Sequence, residues 1–291
     1  MEGFFARGST GPAATVAGPV LGALRVEKHL EEPMTQSVWG PVRQEMYDLL
    51  QSHPDDVPAV VDQLTKLQDI LGRVPPLLAG NPLCDFNSLY LTITEGVLER
   101  LYAGKFKDPA FLSRLDVEFA ARYFDALRAW AGPSESPRCP RVWAGLFQRI
   151  PGPDCRPLPA ACAGVNAHIN FDLPFALVTT FDHLGTDPID DSDQHHDYLQ
   201  INEIFAVSIP GLRRGYLDKW QLLIDTMNGC LDDWWQGEAV EYTRNVAWRN
   251  AQKLWGLRHD MGATDKERAH LDRISADLGR LLLSPLGEFL Q

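Results

Sequence analysis

A chain of 291 residues that is 45% apolar, with eight Trp and thirteen Phe, has the bulk to fill a sizeable core, which excludes a disordered chain. Its 27 basic residues against 39 acidic ones give a net charge of −12, and the longest basic cluster is Arg213-Arg214, so no nucleic acid and no membrane surface is expected as a partner. Five cysteines at wide spacings (Cys84, Cys139, Cys155, Cys162, Cys230), with no C-x-x-C pair and no charge-free apolar run long enough to span a bilayer, fit reduced thiols in a cytoplasmic protein.

Residues 1–41 are rich in Gly, Ala, Pro and Thr without periodicity and read as a flexible N-terminal arm, leaving 42–291 as one all-α domain. A helix is expected over Asp56 to Leu71, with Val61, Leu64, Leu67 and Leu71 on one stripe. Phe86, Leu89, Tyr90, Ile93, Val97 and Leu101 repeat the spacing before Gly104. Asp108-Pro109 caps a run whose Leu112, Leu115, Phe119 and Tyr123 share a face. Further helices are expected over Val142 to Ile150, along the apolar segment Pro159 to Phe181, and from about Asp193 to Val207. Pro210 can start another, one run ends near Trp234, and one carries Arg244, Trp248 and Ala251. The last shows a capping box, Thr264-x-x-Glu267, before Leu271, Ile274, Leu278 and Leu281. Period-2 alternation is nearly absent. The predicted fold is a single multi-helix, bundle-like domain around a buried central polar helix.

That central helix holds N-A-H-I-N-F-D-L-P, Asn166 to Pro174, inside an otherwise apolar run. On a helix His168 and Asp172 share one face and Asn166 and Asn170 another, with apolar residues between. An unpaired buried polar group costs roughly 1–3 kcal/mol, so all four need partners. Either His168 and Asp172 bond each other while the asparagines tie the helix to neighbouring backbone, or the pair lines a pocket as ligands or acid–base groups. Pro174 cannot donate to the carbonyl of Asn170, and a kink there would open room beside Asp172.

The stretch from Asp190 to Asp197, D-D-S-D-Q-H-H-D, puts four aspartates and two histidines in eight residues. Such donors suit a divalent metal. Two consecutive helices offering carboxylate and imidazole on facing sides form a site in a bundle core. The alternative is an ordinary acidic helix start on the surface. His183 and Glu95 are further polar candidates, and Arg244 with Trp248 could stack or neutralise an anion.

Taken together, N-A-H-I-N-F-D-L-P, F-N-S-L-Y-L-T-I-T-E (Phe86 to Glu95), D-P-A-F-L-S-R-L-D (Asp108 to Asp116) and H-D-Y-L-Q-I-N (His196 to Asn202) resemble the uncharacterised family called domain of unknown function 5995, from about Pro41 onward. The resemblance implies a helical fold, with the polar groups of the long helix as a family trait, and no activity. The H-x-x-x-D of His168 and Asp172 is also similar to the helical zinc-dependent phospholipase C and nuclease group, which uses more than one such motif. The D-D-x-D at Asp190 to Asp193 resembles the magnesium motif of class I terpene cyclases.

The expected function is that of a metal-assisted enzyme, a hydrolase before a lyase, acting on a small, largely apolar molecule in a central pocket. A divalent metal (Zn, Fe, Mn or Mg) would be held by His168, Asp172, Asp193 and His196. Asp172 and Glu203, the latter as base, are the catalytic candidates, joined by Asp191 in a cyclase or lyase where Asp172 or Asp191 acts as acid, and Asn166, Asn170, Asn202, Arg244 and Trp248 are the substrate contacts. The alternatives are an isoprenoid-type cyclase or lyase of secondary metabolism and a non-catalytic helical ligand-binding protein.

Overall fold

Side-chain caps set most of the helix starts. In the computed structural model, which describes residues 39–74, 81–133, 139–150, 155, 157–207 and 238–284, residues 39–49 form α1. Asp56 accepts from Ala59 N at 2.8 Å and opens α2, Val57–Leu71. Asn81 does the same for α3, Pro82–Tyr102, and Asp108 for α4, Pro109–Ala131. In α3 and α4 a proline takes the first helical position, where its missing N–H would have had no partner. Helix α5, Arg141–Phe147, ends before the expected Ile150. Residues 193–207 form α8, as the periodicity indicates, and α9 covers Glu238–Leu257. The helices expected from Pro210 and up to Trp234 lie outside the described residues. Among the described residues there is no strand, and no helix is long and apolar enough to cross a membrane.

The final helix corrects two expectations. Helix α10, Met261–Leu282, is capped by Asp260, whose Oδ1 accepts from Ala263 N at 3.0 Å, and not by Thr264. Aspartate has the same capping chemistry and sits one turn earlier, so it takes the free amides first. Thr264 donates to Leu257 O instead, and Glu267 pairs with Lys253 of α9. The buried face is also not the leucine stripe: Leu271 is buried, but Ile274, Leu278 and Leu281 are 40–48% exposed. Small residues make the contact, since Ser275, Ala276 and Gly279 are buried and a Cβ on Gly279 would lie 3.4 Å from Asn166 Nδ2.

The centre of the bundle is one long helical rod made of α6 (Pro157–Asn166), a π-helical turn (Ala167–Asp172) and α7 (Leu173–Leu184). It is packed by α3 against α6, by α4 and α9 against α7, and by α10 against α6 and the π-turn. Residues 159–169 and 171–177 are all buried. Pro174 explains the π-turn: it has no N–H to give Asn170, and Leu173 N reaches past the usual acceptor to His168 O. The proline thus widens the helix immediately before it, in place of the expected kink. Small residues, Ala160, Ala161, Ala163 and Gly164, let neighbours approach α6 closely. The core also takes in Trp39, ahead of Val42, whose ring meets Trp130 edge-on at 5.6 Å.

Candidate active site

The π-turn presents His168 and Asp172 toward α4 and α5. His168 Nδ1 lies 3.1 Å from Asp172 Oδ2, and the same oxygen accepts from Trp143 Nε1 of α5 at 2.9 Å. A carboxylate oxygen only accepts, so Nδ1 carries the proton of the neutral ring and Nε2 keeps a lone pair. Nε2 is buried and has no hydrogen-bond partner among the described residues. The imidazole stacks on Phe119 with centroids 3.5 Å apart and planes 8° from parallel, and Tyr90 meets it edge-on at 4.6 Å. This apolar surround pushes the His168 pKa below 6.5, against the opposing pull of Asp172. At neutral pH the ring is therefore an uncharged base.

His168 lines a cavity of about 70 Å³ between α3, α4, the π-turn, α8 and α9. A water needs about 10–15 Å³ on this measure, so the space admits several waters or a small organic molecule. Its walls are chiefly apolar: Leu89, Ile93 and Val97 of α3, Leu112 and Leu115 of α4, and Ile201 of α8. Three of its lining residues carry buried polar atoms without a partner among the described residues: His168 Nε2, Tyr90 Oη and Asp116 Oδ2. Eleven buried side-chain atoms among the described residues have no partner, and the gathering of three of them on residues around one apolar cavity makes it the candidate site.

Burial pushes the Asp116 carboxyl up from 3.8 to about 7. The native state then holds a proton that the unfolded chain releases near pH 4, so stability is full below that pH, falls as pH rises, and levels off above about pH 7. Asp116→Asn should abolish this fall. In urea denaturation, wild type should lose roughly 2–3 kcal/mol relative to the variant between about pH 5 and pH 8. Parallel pH dependences in the two proteins would show that Asp116 is not protonated in the fold.

At the α8–α9 end of the cavity stands Arg244, 4% exposed. Its Nε donates to Asn202 Oδ1 and its Nη2 to Tyr198 O, both at 2.7 Å, and its guanidinium lies 4.3 Å from the Tyr198 ring centroid. Tyr198 Oη donates in return to Arg244 O at 2.6 Å.

The other sequence candidates do not share this cavity. Asn166 donates to Ser275 O of α10 at 2.8 Å and accepts from Asn170 at 3.0 Å, which ties the rod to α10. Trp248 donates to Asp190 Oδ1 at 2.8 Å and stacks on His195. Asp191 is exposed on a turn at φ 60°, and His183 and Glu95 are exposed as well. Glu203 is exposed and paired with Arg100, Asp193 with Lys107, and His196 is exposed beside Gln200. Of the acidic stretch only Asp197 is buried; it accepts from Lys107 N and Asp108 N at 2.9 and 2.6 Å and fixes the start of α4 onto α8. The four residues assigned to a metal are thus split between the core and the surface, and do not fit a single ion. Among the described residues no three His, Cys, Asp or Glu side chains gather as a metal cluster. The amphipathic pattern of α8 explains the split: its apolar face, Tyr198, Ile201 and Ile204, packs inward and leaves Asp193, His196 and Glu203 exposed.

Trp143, Phe119, Tyr90 and Asp116 were not among the sequence candidates for the site. A signal existed for Asp116, since it lies four residues after Leu112 and three before Phe119 on the apolar face of α4. A carboxylate in such a stripe is a buried one.

No curated protein and no solved structure matches the chain. A family model described as "Family of unknown function (DUF5995)" matches residues 57–285, which include every residue of this cavity. The chain belongs to that family.

Proposed function

We propose that this protein is an acid–base enzyme that moves protons on a small, largely apolar molecule held between α3, α4, the π-turn, α8 and α9. The observation behind this is the uncharged imidazole of His168, a residue lining the cavity, with Nδ1 held by Asp172 and Nε2 buried and without a partner among the described residues. In this reading His168 takes a proton from the ligand. Asp172 and Trp143 hold the ring and its tautomer, and Asp116, whose carboxyl titrates at about 7, returns a proton elsewhere on the ligand. An uncharged base and a protonated acid lining one apolar cavity suit an isomerisation or elimination, and the apolar walls favour these over hydrolysis by a bound water. We place the protein in the cytoplasm, in keeping with Cys139, Cys155 and Cys162 as thiols, each with its pKa pushed up by burial.

The test uses 5-nitrobenzisoxazole, a small apolar carbon acid. Loss of its C–H proton to a base forms the nitrile as the N–O bond breaks, releasing a coloured phenolate. Wild type should open the ring at least about 100-fold faster than His168→Gln, with the helical circular dichroism of the two alike. Equal rates would contradict the assignment of His168. A stoichiometric transition metal in the purified protein that is lost in His168→Gln would favour metal-assisted chemistry instead. Ligand binding with no turnover would make the protein a binding module.

A further inference from the structure

We propose that the pocket selects an amphiphilic carboxylate, with a single anionic head paired to Arg244 and an apolar chain lying along α3 toward His168. This names the ligand class for the acid–base reading above and shares its cavity.

Arg244 is 4% exposed, yet among the described residues no carboxylate pairs with it. A buried cation without a counter-charge is costly, and such groups are normally paired. Arginine has five N–H donors, of which only one on Nε and one on Nη2 are engaged; Nη1 has no partner among the described residues. Asn202, Tyr198 O and the Tyr198 ring hold the guanidinium in place, so its open donors are oriented in advance. That is the arrangement that grips a carboxylate by two parallel bonds.

Among the described residues that line the cavity, Arg244 is also the one cation. It balances one negative charge, whereas a diphosphate would need more. Nor is Asp116 its counter-ion: burial alone displaces the Asp116 carboxyl upward, and a guanidinium in contact would pull it down.

The two polar ends of the cavity are separated along α3. His168 lies against Phe86 and Tyr90, whereas α8 crosses α3 where a Cβ on Gly96 would come 2.7 Å from Ile204. From Tyr90 to Val97 a helix rises about 10 Å. Ile93, Thr94 and Val97 line the interval, which suits a medium-length, chiefly apolar chain with its charge at the Arg244 end.

The experiment measures binding of octanoate, 1-octanol and octylammonium to the full-length protein by isothermal titration near neutral pH. Octanoate should bind at least about tenfold more tightly than 1-octanol, and octylammonium more weakly than either. Arg244→Gln should erase the octanoate preference and leave 1-octanol binding within about twofold. Because Arg244 also braces α8 against α9, Asn202→Asp supplies a second arm. It keeps the bond to Nε, adds a carboxylate against the guanidinium, and should reduce the preference with the arginine in place. Equal affinity for octanoate and 1-octanol in wild type, a preference that survives both variants, or no binding of either compound overturns the proposal. Failure of the catalytic reading looks different: His168→Gln would leave ring-opening unchanged while Arg244 still governed head-group choice.

Discussion

Asp172→Ala should lower the unfolding free energy by about 3–5 kcal/mol in urea denaturation, with an unchanged denaturant slope. Asp172 Oδ2 accepts from both Trp143 Nε1 and His168 Nδ1, and Trp143 is fully buried while His168 is 3% exposed. Alanine leaves two buried N–H donors without an acceptor, each costing about 1–3 kcal/mol, and adds a small void in the rod. Asp172→Asn keeps one acceptor oxygen and should cost about 1–2 kcal/mol, with a greater effect on proton transfer than on stability because the imidazole tautomer is no longer held. A loss below about 1 kcal/mol for the alanine variant would mean that Trp143 and His168 find other partners.

Gly164→Ala is the second large effect, and two principles oppose each other there. Helix propensity favours alanine by up to about 1 kcal/mol. Against this, the new Cβ would lie 2.7 Å from Phe86 Cδ2 and 3.0 Å from its Cγ. Phe86 is held on three sides, since it meets Tyr123, Trp143 and His168 edge-on at centroid distances of 5.2, 5.7 and 6.0 Å, and it can shift only toward the cavity that it lines. Overpacking of this kind costs about 1–3 kcal/mol, so a net destabilisation of about 1–2 kcal/mol is expected in thermal or urea unfolding. In combination with Phe86→Leu the two losses should fall short of additivity by about 1 kcal/mol, since the smaller side chain makes room for the methyl group. A Gly164→Ala protein more stable than wild type would contradict the close approach of α3 to α6.

Local signals carried the helical framework. Asp56, Asp108 and the prolines beside them marked helix starts because capping depends on a few adjacent atoms. The apolar spacing of α3 and α4 set their inward faces for the same reason. The His168/Asp172 and Asn166/Asn170 pairs separate as a helix requires, one toward Trp143 and the other toward Ser275. What the sequence could not show was which distant residues meet. Trp143 is 29 positions from Asp172, and Arg244 is 42 from Asn202, so their pairing is a property of packing. Density of metal-type donors was also a poor guide to the site. The stretch Asp190 to Asp197 is rich in them because it lies largely at the surface, while the cavity is distinguished by few polar groups, each buried. Asp116 was legible as a carboxylate on an apolar stripe, a signal carried by one residue and by no cluster.

The central claim is that His168 is an uncharged base with its proton on Nδ1 and a bare Nε2. Proton–nitrogen correlation spectra of protein labelled with ¹⁵N-histidine report the protonation of each ring nitrogen, and the His168 signals are those missing from His168→Gln. At neutral pH the spectra should show a proton on Nδ1, shielded from exchange by Asp172, and an unprotonated Nε2 that stays so below the pH at which exposed histidines titrate. An imidazolium at neutral pH, or a proton on Nε2, would contradict it.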